Sequence, residues 1–133
     1  MQLISIHAQT IFQALADETR LRIIRLLVTT NAEACLCELV DSLRAPAYRL
    51  SRHLKILRQA GMLSSHKEGR WVYHQLVSKP PYLEKLHATI HALPDVDQVY
   101  EADLARFNER MCLRVGGRCR IGILSNELES GAE

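Results

Sequence analysis

Cys35 and Cys37 flank a single leucine, and Cys112 and Cys119 complete the four cysteines of this 133-residue chain. Two thiols one residue apart are too close for an easy disulfide between themselves. As thiolates they are soft ligands, suited to As(III), Sb(III), Cd(II), Pb(II) or Cu(I) rather than to hard cations. Leu36, Leu39, Val40 and Leu43 recur at helical spacing, so the pair stands where a short helix from Cys35 to Leu43 begins. A helix N-terminus carries positive potential, which favours the ionised, ligating form of a thiol. Leu36 takes the buried stripe, so Cys35 and Cys37 cannot both face the core.

Residues i and i+2 of a regular helix point roughly 200° apart at 3.6 residues per turn. One small ion can therefore hold both sulfurs only from a nonhelical lead-in, or by distorting the first turn. The second course would unwind the start of this helix and swing the next one. As(III) takes three thiolates, and the position three residues after Cys37 is Val40. Cys119, which follows the flexible Gly116-Gly117, is the preferred third sulfur, with Cys112 the other candidate.

A second constellation lies just downstream. Leu50, Leu54 and Leu57 mark the buried side of a helix that restarts at Ala47 after Pro46. Its other face carries Tyr48, Arg49, Ser51, Arg52, His53 and Lys55, groups that contact base edges and phosphates. From Arg44 to Lys67 the chain contains no Asp or Glu, although its net charge is only +2. Met62–Lys67 and Trp71–Val77 then read as two strands around Glu68-Gly69-Arg70, placing Lys67 and Arg70 near a hairpin tip for flanking DNA.

The remaining elements must position these two sites. A first helix is marked by Ile4, Ile11, Phe12 and Leu15 and ends near Ala16; Asp17 caps a second, striped by Leu21, Ile24, Leu27 and Val28. Thr29–Glu33 reads as a polar turn. After the hairpin come a fifth helix from Pro80-Pro81 (Leu83, Leu86, Ile90, Leu93) and a sixth capped by Asp95 (Val96, Tyr100, Leu104, Phe107, Met111). The order is α-α-α-α-β-β-α-α: a mainly α fold with a small β-hairpin, the layout of a winged helix-turn-helix. The first and last helices carry apolar stripes, and a second copy of the chain, giving a homodimer, is the simplest cover. Residues 1–124 read as one domain and 125–133 as a disordered acidic tail.

Four segments carry a family resemblance: the run from Phe12 to Ile24, Cys35-Leu-Cys-Glu-Leu, the run from Ser51 to Leu63, and Glu68-Gly-Arg-Trp-Val-Tyr-His. Together they resemble the ArsR/SmtB metalloregulators over about residues 11 to 77. Gly117-Arg-Cys-Arg-Ile-Gly is similar to the C-terminal segment of an arsenic-responsive branch. The resemblance implies a homodimeric repressor of an efflux or detoxification operon, released from operator DNA by its inducer. The inducer so implied is As(III) or Sb(III), with Cd(II), Pb(II) or thiol oxidation as alternatives. A non-DNA-binding cytosolic metal-binding protein is the remaining reading. Many relatives carry Ser-Gln where this chain has Pro46 and Ala47, which passes base contacts to Tyr48 and Arg49.

Other chemistry finds less support. His87 and His91 have zinc-compatible spacing, but the Asp-x-His and His-x-x-Glu pattern expected beside them is absent. No nucleophile elbow, phosphate loop or paired acids suggest an enzyme. The N-terminus lacks a basic n-region and a long apolar run, so the chain reads as cytoplasmic, reduced and without a membrane partner.

Overall fold

The computed structural model describes residues 6–125. Asp17 leaves the chain extended and accepts a 3.0 Å hydrogen bond from the Arg20 amide, which starts α2 (Glu18–Thr30) after α1 (Ala8–Leu15). A two-residue strand, β1 (Ala34–Cys35), leads directly into α3 (Leu36–Leu43). Arg44 ends α3 in the left-handed region, and Pro46 sets the extended N-cap of α4 (Ala47–Gln59). The hairpin follows as β2 (Leu63–Glu68) and β3 (Trp71–Leu76). Glu68 pairs with Trp71, so the connection has two residues, and Gly69 supplies the positive φ. α5 (Pro81–Ala92), a 3-10 turn (Val96–Gln98) and α6 (Val99–Met111) complete the order.

Ile23, Ile24 and Leu27 of α2 meet Leu39 and Leu43 of α3 and Leu50, Leu54 and Leu57 of α4 in one fully buried core. This three-helix wedge, with the hairpin beside it, is a winged helix-turn-helix, and α4 is the groove-reading helix of that layout. Among the described residues, no helix is long and apolar enough to cross a membrane.

Three expectations change. The sheet has three antiparallel strands in the order β1-β3-β2, because Ala34 and Cys35 pair with His74 and Tyr73. Two residues are too few to show a period, so the sequence reading starts a helix at Cys35 and misses the strand; Thr29 and Thr30, read there as part of a polar turn, close α2. The stripe of α6 is not left for a partner: Phe107 is buried, and Leu104 and Met111 pack on the same core. Val96 falls outside that helix and is exposed, while the Asp95 carboxylate caps α6 by accepting from the Tyr100 and Glu101 amides at 2.9 and 3.0 Å. Among the described residues, the uncovered apolar seam runs instead between α1 and α5, where Phe12 is 61% exposed. Ile4 and the acidic tail beyond Ser125 lie outside the described residues. Ser125 itself is held, its amide and hydroxyl both donating to Asp41.

Candidate metal centre and nucleic-acid face

Cys35 is the N-cap of α3, not part of it: its backbone is extended (φ −83°, ψ 158°) and pairs with Tyr73 in the sheet. Cys37 stands in the first helical turn. The sequence left open whether the sulfurs meet in a nonhelical lead-in or by unwinding the helix; the structure puts Cys35 in the lead-in and Cys37 in the helix.

The third sulfur is placed by the chain after α6. Val115 and Arg118 exchange backbone hydrogen bonds around Gly116 and Gly117, whose φ values of 61° and 75° suit glycine. This tight turn returns the chain to α3. The Cys119 amide donates to the Tyr73 hydroxyl at 2.9 Å, and Cys119 Sγ lies 3.5 Å from Cys37 Sγ. The Cys35 and Cys119 sulfurs and a Glu38 carboxylate oxygen lie within 4.8 Å of one another. Cys35, Cys37, Cys119 and Tyr73 thus form a buried cluster of their own, apart from the main core. Cys112 is not brought there. It is exposed at the end of α6, with its thiol donating to the Asn108 carbonyl, a correction to its candidacy as a ligand in this arrangement.

Charges around the cluster explain its protonation. The neighbouring Cys35 thiol is the main reason that Cys37 falls to about 6; Cys119 and the Arg110 guanidinium help, against burial. The cost appears on the partners. Cys35 is raised by its neighbour Cys37, by burial and by the nearby Glu38 charge, and Cys119 is pushed up to about 11 by burial and by its own bond to Cys37. Cys37 is therefore favoured to ionise ahead of its two neighbours.

Glu38 is an unpromising ligand despite its proximity. Its carboxylate already accepts from the Cys35 amide at 2.9 Å and from two nitrogens of Arg114 at 2.8 Å each. Arg110 pairs with Asp41 at 2.7 Å and also donates to the Ile121 and Gly122 carbonyls. Arg118 lies 3.8 Å over the Tyr73 ring and pairs with Glu33 and with Glu68 at the wing. None of these groups was singled out in the sequence. Their signal was there: Arg106, Arg110 and Arg114 recur every fourth residue, and Glu38 and Asp41 share a face of the facing helix.

On α4, Tyr48, Arg49, Ser51, Arg52 and Lys55 are exposed together, as are Lys67 and Arg70 on the wing. Both arginines lie over the Tyr48 ring, at 5.8 and 5.9 Å, and Arg70 lies 4.7 Å over Trp71. His53 departs from this group. Its Nδ1 is 3.0 Å from Arg20 and 3.8 Å from Asp17, so the ring joins α4 to α2 instead of standing with the exposed basic group. His87 is half-buried and His91 exposed, and neither joins a cluster of potential metal ligands among the described residues.

Comparison with known proteins agrees with this architecture. The sequence profile described as "Bacterial regulatory protein, arsR family" matches residues 17–65. An arsenic resistance transcriptional regulator of Pseudomonas putida is 40% identical over 84 residues, 62% of this chain and 72% of its own length. The arsenical resistance operon repressor of Escherichia coli is 44% identical over 66 residues, 50% of this chain and 56% of its own. A cadmium resistance transcriptional regulatory protein of Listeria innocua is 38% identical over 63 residues, 47% of this chain and 52% of its own. The chain belongs to the arsR family of regulatory proteins.

Proposed function

We propose that the protein is a homodimeric repressor that leaves operator DNA when Cys35, Cys37 and Cys119 bind As(III) or Sb(III). The observation that carries this reading is the gathering of three buried sulfurs from β1, α3 and the C-terminal segment at the entrance to the helix-turn-helix. Arsenous acid exchanges its three hydroxyls for three sulfurs: the Cys35 and Cys119 thiol protons leave with two of them as water, and the one displaced by the Cys37 thiolate takes its proton from solvent. The Cys37 thiolate makes the first attack. The names of the arsenic-resistance relatives support the metalloid, and the exposed basic face of α4 and the wing supports DNA.

The route to DNA follows from what each sulfur is attached to. Cys37 begins the helix that turns directly into α4. Cys119 is next to Arg118, which holds Glu68 at the wing, and Tyr73 holds the Cys119 amide from the wing strand. Drawing three sulfurs onto one atom therefore strains the recognition helix and the wing together. A second copy fits the cleft of about 410 Å³ between α1 and α5, lined by Ile6, Phe12, Tyr82 and Leu86.

Two observations keep other inducers in play. The cadmium-resistance relative supports Cd(II) or Pb(II) at the same thiols. The 3.5 Å sulfur–sulfur approach supports oxidation: the Cys37 thiolate takes an oxygen from a hydroperoxide, and the Cys119 thiol then displaces it as water, closing a disulfide. The test is operator release, followed by fluorescence anisotropy, against arsenite, antimonite, cadmium, lead and peroxide. Release by arsenite at the lowest concentration, lost in Cys35→Ser, Cys37→Ser and Cys119→Ser with operator affinity kept, is expected. Release that survives all three substitutions would overturn the site.

A further inference from the structure

Next to the sulfurs lies a cleft of about 540 Å³ between the start of α3, α4 and the wing. Cys35 and Cys37 form part of its wall, whereas Cys119 is fully buried and does not line it. The sulfur cluster therefore opens toward the cleft on the Cys35–Cys37 side. Leu36, Trp71, Val72 and Ile123 give it an apolar surface. Arg58, Ser65 and Arg70 add polar groups, and His74, on β3 two residues past Val72, also lines the cleft; it is 5% exposed, and its Nδ1 is buried with no hydrogen-bond partner among the described residues. A bare metalloid held by three sulfurs uses none of these features. A cavity of about 150 Å³ already suffices for a benzene ring, so the cleft has room for an aryl group.

We infer that the protein takes mono-organic arsenicals, with the arsenic on two of the three sulfurs and its carbon substituent, best an aromatic ring, in the cleft beside Trp71. This rests on the thiol-sensor reading above and narrows its ligand class. The chemistry balances without a redox step: an aryl arsenoxide forms two As–S bonds and loses its oxygen as water, which takes one proton from each thiol bound and, where Cys37 reacts as the thiolate, one from solvent. Arsenic stays trivalent, and the As–C bond is kept. A ring substituent bearing oxygen would give His74 Nδ1 its missing partner.

Trp71 is the sole tryptophan of the chain, so its emission reports on the cleft directly. The reduced full-length protein is titrated, without DNA, with phenylarsine oxide and separately with arsenite. Ser65→Phe, at an exposed strand position paired across the sheet with His74, narrows the cleft without touching a sulfur, and Val72→Phe narrows it from β3. In wild type, phenylarsine oxide is expected to shift Trp71 emission and to bind tighter than arsenite by about tenfold or more. The two phenylalanine variants should lose that advantage while binding arsenite as wild type does. Equal changes for both ligands, no change for either, or variants that weaken only operator binding would each overturn the cleft assignment. Failure of wild type to bind arsenite would instead strike the three-sulfur reading, and the phenylarsine oxide comparison would still decide the cleft.

Discussion

The ionisation of Cys37 can be tested by removing its main cause. In Cys35→Ala the neighbouring thiol goes, while Arg110 and Cys119 remain. With its pKa at about 6 instead of the ordinary 9.0, Cys37 is roughly nine-tenths thiolate at pH 7, against about one per cent for an unperturbed thiol. Reaction rate alone would hide most of this. Intrinsic nucleophilicity falls with pKa at a Brønsted slope of about 0.4–0.5, so three units cost roughly twentyfold per thiolate and the net gain at pH 7 is only several-fold. The midpoint of the pH–alkylation profile carries the information. Iodoacetamide labelling, read by fragment-ion mapping of the Cys35–Cys37 peptide, should give a wild-type midpoint near 6 and a Cys35→Ala midpoint higher by about a unit or more. A wild-type midpoint within about a unit of 9.0, or one that does not move in the variant, refutes the account of the trio.

Other consequences are simpler. Arg114→Met leaves the fully buried Glu38 charge unpaired and should cost about 3 kcal/mol in urea unfolding at fixed protein concentration. Adding Glu38→Gln should recover much of that loss; equal instability of the two variants would contradict the pairing. Buried His74 is held neutral, its pKa lowered from 6.5 to about 4 by burial and by Arg58. The unfolded chain therefore takes up its proton first, and stability present above pH 6.5 is lost as pH falls toward 4, by up to about 3 kcal/mol. His74→Leu should flatten that acid limb of the unfolding curve. Arg52→Ala should weaken operator binding and lower the salt slope by about 1, whereas His53→Ala, which loses a contact to α2, should leave the slope unchanged.

The helix-turn-helix was legible because its signals are local. The leucine stripe of α4, the Asp17 cap and the glycine of the wing turn each act within a few residues, and all three appear as the sequence reads. The thiol site was legible in part. Cys35-Leu-Cys37 announces soft-ligand chemistry, and a Gly-Gly before Cys119 points to a turn that can bring that sulfur back toward the pair. Periodicity could not show that Cys35 stands in a strand, since β1 is two residues long and exists only through pairing with β3. The arginines of α6 escaped for a related reason. An arginine every fourth residue reads as a solvated face until the acids opposite it, Glu38 and Asp41, are brought across from α3 by tertiary packing. The α6 stripe was misassigned to a partner because an apolar face does not state whether its own chain or another will cover it.

In the proposed site the third sulfur comes from the C-terminal segment. Arsenic K-edge X-ray absorption on protein loaded with one equivalent of arsenite counts the sulfurs bound. Three are expected in wild type and in Cys112→Ser, and two in Cys119→Ser. Three retained in Cys119→Ser, or one lost in Cys112→Ser, would contradict it.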